Sequence, residues 1–369
     1  MSTSKERTML VTGAGGFVGG RVVEMTHLAG FAKVRAGLRR WNTAARVARF
    51  GVDMQLCDVL KPEQLATNMT GMNVVVHCAF GDRDVIVKGT ENVLDAAYKN
   101  GVKRFVHIST AEIYGNVSGD VDETFPYSSM NSSYADAKIE AEQLCWEYAK
   151  KGLGVTVLRP SIVYGPFGNL FLVKIAERLY TGALGDMKDT ADGICNLIYI
   201  DDLVRCIFLS IINERAVGQA FNVNGPDKVT WNDYFVQLGR ALNISKLNDL
   251  NRKETKAKST ALSLIKPAAT YLGKHYGESI LRMGRRLGVE GRVERIRSFL
   301  NTTPSMFELG LYSRKAYYSY KKAATILGYS PRYDLLTGTG LSVQWLLHEG
   351  YLQRFGVDSE LEQDTVNLQ

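Results

Sequence analysis

The 369 residues are enough for one large domain or two of ordinary size, and 45% apolar with 22% charged residues excludes general disorder. No apolar run approaches the ~20 residues of a membrane-spanning helix, and the apolar stretch after Met1–Arg7 is too short for a signal peptide, so a cytoplasmic protein is expected. The net charge of +7 is concentrated: residues 252–297 carry twelve Lys/Arg against four Glu, which is +8 and leaves −1 elsewhere. Basicity of one segment is not a general nucleic-acid signature, and no nucleic acid is expected as a partner. The five cysteines (57, 78, 145, 195, 206) show no CxxC pair and no metal-ligand spacing, so they read as reduced and structural, with no metal site.

Thr8–Thr12 is a short apolar strand. Gly13, Gly16 and Gly19 follow at once, and a helical pattern runs on through His27. This order of strand, glycines and helix suits a tight turn, close backbone approach to a pyrophosphate, and an anion at a helix N-terminus. Lys33–Leu38 is a second strand, Asn42–Phe50 reads as helical, and Val52–Cys57 is a third strand before a helix starting near Pro62. Asn73–Cys78 is a buried strand, Val85–Asn100 a helix ended by Gly101, and Arg104–Ser109 another strand. The alternation predicts an α/β fold, a Rossmann-type doubly wound parallel sheet covered on both faces. After the second strand stand Leu38-Arg39-Arg40, where an acid would favour NAD. Two cations suit a 2′-phosphate, so NADP(H) is favoured and NAD(H) stays open; the alternative is a pair of solvated loop charges.

Tyr134 and Lys138 lie four apart, on one face of a predicted helix. A phenol at pKa ~10 is too weakly acidic to serve at neutral pH, and a nearby ammonium would lower that value. Taken alone the pair also fits an ordinary surface helix.

Further motifs follow in order: Asp58, His77-Cys78-Ala79, Ser109-Thr110-Ala111-Glu112-Ile113-Tyr114-Gly115, Tyr134-x3-Lys138, Arg159-Pro160-Ser-Ile-Val-Tyr164-Gly165-Pro166, and Ile200-Asp201-Asp202. With the glycines, this series resembles the extended short-chain dehydrogenase/reductase family, in its NAD-dependent epimerase/dehydratase group, over about residues 8–240. The resemblance implies an NAD(P)-dependent oxidoreductase or epimerase. It implies that Gly13, Gly16 and Gly19 cradle the pyrophosphate, with Phe17 and Val18 opening the helix beneath. Asp58 and Val59 would hold the adenine, and Cys78, Ala79 and Pro160 would line the nucleotide. Tyr134 would be the catalytic acid/base. Lys138 would bind the nicotinamide ribose and lower the Tyr134 pKa. Thr110 would hydrogen-bond the reacting oxygen, with Ser109 as the near alternative. Glu112 is open between a second acid/base and a polar residue at the cleft edge.

Departures bear on substrate. Ala111 replaces the acid of the Thr-Asp-Glu stretch in the resembled dehydratases, so dehydration is not expected. Ile86, Ile162 and Cys195-Asn196-Leu197 stand where relatives that bind sugar nucleotides have Asn, Asn and a phosphate-clamping Arg; Lys174, Arg178 and Arg205 are candidate phosphate contacts from other positions. The Arg159–Pro166 and Asn196–Asp202 stretches resemble the 3β-hydroxysteroid dehydrogenase branch equally well. The substrate is therefore a sugar-like, nucleotide- or lipid-linked carbinol or ketone, or alternatively a lipophilic alcohol or ketone. The third reading is a non-catalytic dinucleotide-binding protein on the same fold.

In the second half, Val155–Leu158 is a strand and Phe167–Tyr180 an amphipathic helix over the cleft. Asp201-Asp202 cap a helix through Ile212, Ala220–Val223 rejoins the sheet, and Thr230–Asp233 begins a helix through Leu242. The basic helical segment 252–297 reads as a flap or dimer contact, with peripheral membrane contact as the alternative. A Leu-Gly-Tyr-x-Pro turn at Leu327–Pro331 leads to a last helix near Thr339–Gly350. The domains expected are 5–165 with 196–226 for the dinucleotide, 166–195 with 227–350 for the substrate, and a tail at 351–369. A homodimer acting on a small molecule is the expected assembly.

Overall fold

The structure, a computed structural model, describes residues 7–128, 132–251, 253–265 and 303–355. The chain begins with β1 (Thr8–Thr12), α1 (Phe17–Leu28), β2 (Lys33–Leu38), β3 (Asp53–Leu56), α2 (Pro62–Met69), β4 (Val74–His77), α3 (Arg83–Lys99) and β5 (Arg104–Ile108). The short strand β6 (Gly119–Val121), the helix α4 (Ser133–Lys150) and β7 (Val155–Pro160) follow. A seven-stranded sheet runs in the order Gln219–Val223, β7, β5, β4, β1, β2, β3, and every neighbouring pair is parallel. This is a Rossmann-type sheet.

Period-two alternation explains why both faces are covered. In β1, Met9 and Val11 enter the core on the face shared with α1 and Ile200–Ile212, while Leu10 joins the opposite core with Val93, Leu94 and Cys145. The register aligns the strand ends. Thr12 pairs with Gly37 and His77, His77 with His107, and Ile108 with Leu158. Every loop that carries a candidate site residue therefore leaves the carboxyl edge of the sheet, where α/β folds bind ligands.

The chain divides into two compact units: residues 1–164, 196–227 and 316–334, and residues 165–195, 228–315 and 335–369. The first differs from the sequence-based division by taking 316–334. Ala316–Tyr318 pairs in parallel with β6, and the Asp202 carboxylate accepts the backbone N–H groups of Arg332 and Tyr333 at 2.8 and 3.0 Å. In the second unit an aromatic cluster joins Trp231, Phe235 and Tyr312. Thr230 caps the helix Trp231–Ala241 through a capping box with Asp233.

Several sequence expectations need correction. Asn42–Phe50 is not a helix: Trp41–Thr43 is a single 3₁₀ turn, followed by turns that bury Ala44 and Val47 against the core around α1. Phe167–Tyr180 is interrupted, because Phe167 has φ +69° and Asn169–Val173 forms a π turn before the α-helix Lys174–Tyr180. Asp201 and Asp202 do not cap their helix, which starts at Ile200; they sit buried in its first turn. Asp201 accepts two bonds from Arg21 at 2.7 Å, and Asp202 also accepts from Arg205 at 2.8 Å. The last long helix is Leu335–His348. Of the basic segment, residues 253–265 are helical, and 252 and 266–302 lie outside the described residues, as does the tail from 356. No helix among the described residues is long and apolar enough to cross a membrane.

Candidate active site

The glycine loop is set by sterics. Gly13 has φ +67°, and a Cβ there would stand 2.7 Å from the Cys78 carbonyl oxygen and 2.8 Å from the Ala79 backbone. A Cβ on Gly19 would overlap the Gly13 carbonyl. The first turn of α1 can thus pack directly on the loop, and its N-cap, Gly16, is exposed and brings no side-chain cap. Phe17 and Val18 open the helix. The unbonded N–H groups of such a first turn suit an anion.

A buried polar bridge holds this loop against β4. Thr12 Oγ1 lies 2.7 Å from His77 Nδ1, and His77 Nε2 lies 3.0 Å from Thr90 Oγ1. Burial, with help from the Lys138 charge, pushes the His77 pKa down to about 3, so the ring stays neutral. Cys78 and Ala79 follow, half-buried beside Gly13.

Arg39 and Asp58, from separate loops, approach at 3.8 Å, and Arg39 is 57% exposed. Asp58 is half-buried and accepts the Leu60 N–H at 3.1 Å. Val59 is placed otherwise: it is buried and packs against Gly89 of α3. Pro160 is buried at the end of β7, beside Val223.

Tyr134 and Lys138 share one face of α4, whose N-cap Ser132 accepts the Ala135 N–H. Lys138 is buried and donates to the Ile108 carbonyl at 2.8 Å. Burial lowers its pKa to about 8, against the opposing influence of Cys78, Glu142 and Cys145. Tyr134 is half-buried, and burial raises its pKa to about 12; side-chain hydrogen bonding with Thr110 pulls the other way, and the Glu112 charge adds to the rise. This corrects the expectation that Lys138 lowers the phenol. The ammonium is turned to the Ile108 carbonyl, and burial is the largest influence on the phenol.

Thr110 caps the 3₁₀ turn Ala111–Tyr114 by accepting the Glu112 N–H at 3.2 Å. Glu112 is half-buried within that turn. Ser109 is buried, and its hydroxyl finds no hydrogen-bond partner among the described residues. The structure thus brings Thr110, and not Ser109, to Tyr134. Sequence reasoning missed three neighbours. Phe80 is 69% exposed, with its ring 5.8 Å from that of Tyr134 and edge-on to it. Glu142 and Arg159 form a buried pair behind Lys138. The recurrence of Tyr134, Lys138 and Glu142 at intervals of four was the legible signal for Glu142; Phe80 had none.

Two of the candidate phosphate cations are already engaged. Arg178 pairs with Glu308 at 2.5 Å, and Arg205 pairs with Asp202 and donates to the Ser330 carbonyl. Lys174 is exposed. Cys195 is buried, and buried Asn196 spends its amide on the Ala316 carbonyl and the Tyr318 N–H.

A family model for the NAD dependent epimerase/dehydratase family matches residues 9–224. The chain belongs to that family, whose members include epimerases, dehydratases and reductases, and it is accordingly an NAD-dependent enzyme. Among curated relatives, the N-acetyl-alpha-D-glucosaminyl-diphospho-ditrans,octacis-undecaprenol 4-epimerase of Escherichia coli O157:H7 is 26% identical over 249 residues, 64% of this chain and 72% of that one. The 2-alkyl-3-oxoalkanoate reductase of Shewanella oneidensis is 28% identical over 246 residues, 60% of this chain and 62% of that one. Among solved structures, UDP-glucuronic acid 4-epimerase from Bacillus cereus in complex with NAD superposes with a TM-score of 0.67 at 19% identity, covering 93% of this chain and 99% of that one. The cradle at Gly13–Gly19, which a Cβ would fill, fits such a dinucleotide.

The Lys138 midpoint gives a pH test in the nucleotide-free protein. A folded pKa of about 8 lies below the 10.5 of a free lysine. Between those values the unfolded chain carries a proton that the folded one has lost, so this group makes unfolding free energy rise with pH. Lys138→Met should therefore gain more stability over the parent at pH 7 than at pH 10 in denaturant melts. An equal difference at both pH values contradicts the buried, depressed ammonium.

Proposed function

We propose that the protein interconverts a carbinol and a ketone on a sugar-like substrate, nucleotide- or lipid-linked, as an oxidoreductase or epimerase with Tyr134 as the acid/base. The observation that carries this reading is the convergence of Tyr134, Thr110 and buried Lys138 at the sheet edge that also holds the glycine cradle. NAD supplies the hydride acceptor and donor when bound. Gly13, Gly16 and Gly19 would hold its pyrophosphate on the α1 N-terminus, and Lys138 the nicotinamide ribose. Asp58 would meet the adenine, flanked by Cys78 and Ala79. Thr110 orients the reacting oxygen, and Tyr134 moves its proton at the phenolic oxygen. Glu112 lies close enough to Tyr134 to influence it electrostatically and is the candidate second acid/base.

Arg39 supports a preference for NADP(H). It is exposed beside Asp58, where a 2′-phosphate would form charge-assisted bonds. A second reading, a lipophilic alcohol or ketone, is favoured by Phe80 and by the apolar cluster of Ile86, Ala137 and Ala141 on which Val87 and Tyr134 pack. The engagement of Arg178, Arg205 and Asn196 in internal bonds supports it too. The relatives named above include one acting on a polyprenol-linked sugar and one on an alkyl oxoalkanoate.

Tyr134→Phe should leave NADH affinity intact and cut turnover by ~10²–10⁴-fold, the usual contribution of a positioned acid/base; full turnover at neutral pH would sink the assignment. Arg39→Ala should weaken NADPH binding by about tenfold or more, as for a lost charge-assisted bond, and leave NADH affinity alone; an unchanged ratio of the two affinities refutes the phosphate role. Phe80→Ala should raise KM by about tenfold for carbinols bearing a ring or alkyl group beside the reacting carbon, a loss on the scale of an aromatic contact. Unchanged KM across that series argues for a polar substrate.

A further inference from the structure

The acid/base site is assembled from two separate pieces of chain, and something must fix one against the other. Tyr134 and Lys138 ride on α4. Thr110 and Glu112 belong to the turn after β5. One turn beyond Lys138 on α4 stands Glu142, with a side chain wholly removed from solvent. Arg159, at the end of β7, is also buried and grips it with Nε at 3.1 Å from Oε1 and Nη2 at 2.7 Å from Oε2. The other arm of the same guanidinium, Nη1, donates to the Tyr114 hydroxyl at 2.8 Å. Tyr114 closes the turn that begins at Thr110, and its hydroxyl donates to Asn222 Oδ1 at 2.7 Å. Tyr127 donates to Glu142 Oε2 at 2.9 Å and accepts from Trp146 at 3.2 Å, so no oxygen of the carboxylate lacks a donor.

We propose that the buried Glu142–Arg159 pair is the positioning device of this site, locking the Thr110–Tyr114 turn to α4 one helical turn beyond Lys138. The inference rests on the acid/base reading of Tyr134 for its functional meaning, though not for its test. The physical argument concerns why a buried ion pair stands here at all. Burying two charges costs several kcal/mol each, and such pairs are often replaceable by apolar residues without loss of stability. Stability alone does not call for the pair. A rigid, bidentate, planar link between α4, β7 and the Thr110 turn does, because guanidinium geometry fixes directions that apolar packing leaves free. Lys138 gains directly: Glu142 is among the groups that favour its charge against burial, whereas His77 and His107 on the adjacent strands are both pushed down, first by burial and then by the Lys138 charge.

The decisive variant removes the pair without leaving an orphan charge. Glu142→Met combined with Arg159→Met should melt near the parent temperature. The Lys138 ammonium midpoint, followed by NMR with lysine labelled at 15Nζ and assigned with Lys138→Met, should fall as the carboxylate that favours its charge is lost. A double variant of parental stability with an unmoved Lys138 midpoint overturns the proposal and makes the pair a replaceable structural element. If the apolar pair does not fold, Glu142→Gln combined with Arg159→Gln, which keeps polar side chains and removes both charges together, carries the same readout with the same two outcomes. Retained turnover in Tyr134→Phe would defeat the acid/base reading and leave this midpoint shift standing, so the two failures are distinguishable.

Discussion

A single buried bond organises the site: the Lys138 ammonium donates to the Ile108 carbonyl at the carboxyl end of β5. Taking an ammonium out of water is costly, and the cost is reduced only where several partners converge. Here the bond ties α4 to the edge of the sheet. Tyr134, one turn earlier, is then carried to Thr110, because residues four apart share a helix face. The same strand ends, brought level by the parallel register, place the glycine cradle and Cys78-Ala79 along the same edge. The electrostatic consequence runs opposite to a simple expectation. Without nucleotide, desolvation dominates, and the phenol is less acidic than a free one.

The surroundings of Tyr134 include apolar side chains. Phe80 presents its ring to Tyr134, and Ile86 is buried under the same helix. Cys195 and Asn196 are buried, and the Asn196 amide is committed to internal bonds. Arg178 and Arg205, which could have met a phosphate, are neutralised by Glu308 and Asp202. Phe80 and Ile86 support the proposal of a substrate with an apolar portion near the reacting carbon, for which a lipid-linked sugar and a lipophilic alcohol are both chemically suitable.

The fold was legible because its signals are local and repeated. Alternating apolar strands and amphipathic helices specify a parallel sheet, and Gly13 and Gly19 stand where any Cβ would collide with backbone. The positions of Tyr134, Lys138 and Thr110 followed from motif order. What the sequence did not reveal depends on long-range partners. Asp201 and Asp202 look like helix caps in isolation, yet their partners Arg21, Arg332 and Tyr333 lie far away in the chain. Arg159 reads as a motif letter until Glu142 and Tyr114 are seen around it. The Asn42–Phe50 segment has a helical composition but forms a 3₁₀ turn and further turns that bury Ala44 and Val47 in the core around α1. The phenol's acidity was misjudged because spacing reports proximity and carries no information on burial.

The central claim is that this phenol becomes a workable acid/base only in the assembled site. It is tested most directly by titrating Tyr134, labelled at Cζ and assigned with Tyr134→Phe, by NMR with and without saturating oxidised dinucleotide. A nearby positive charge should favour the phenolate, so the midpoint should drop from about 12 in the nucleotide-free protein by roughly four units or more, the scale that brings it near the operating pH. A midpoint that stays near 12 with nucleotide bound would contradict the account.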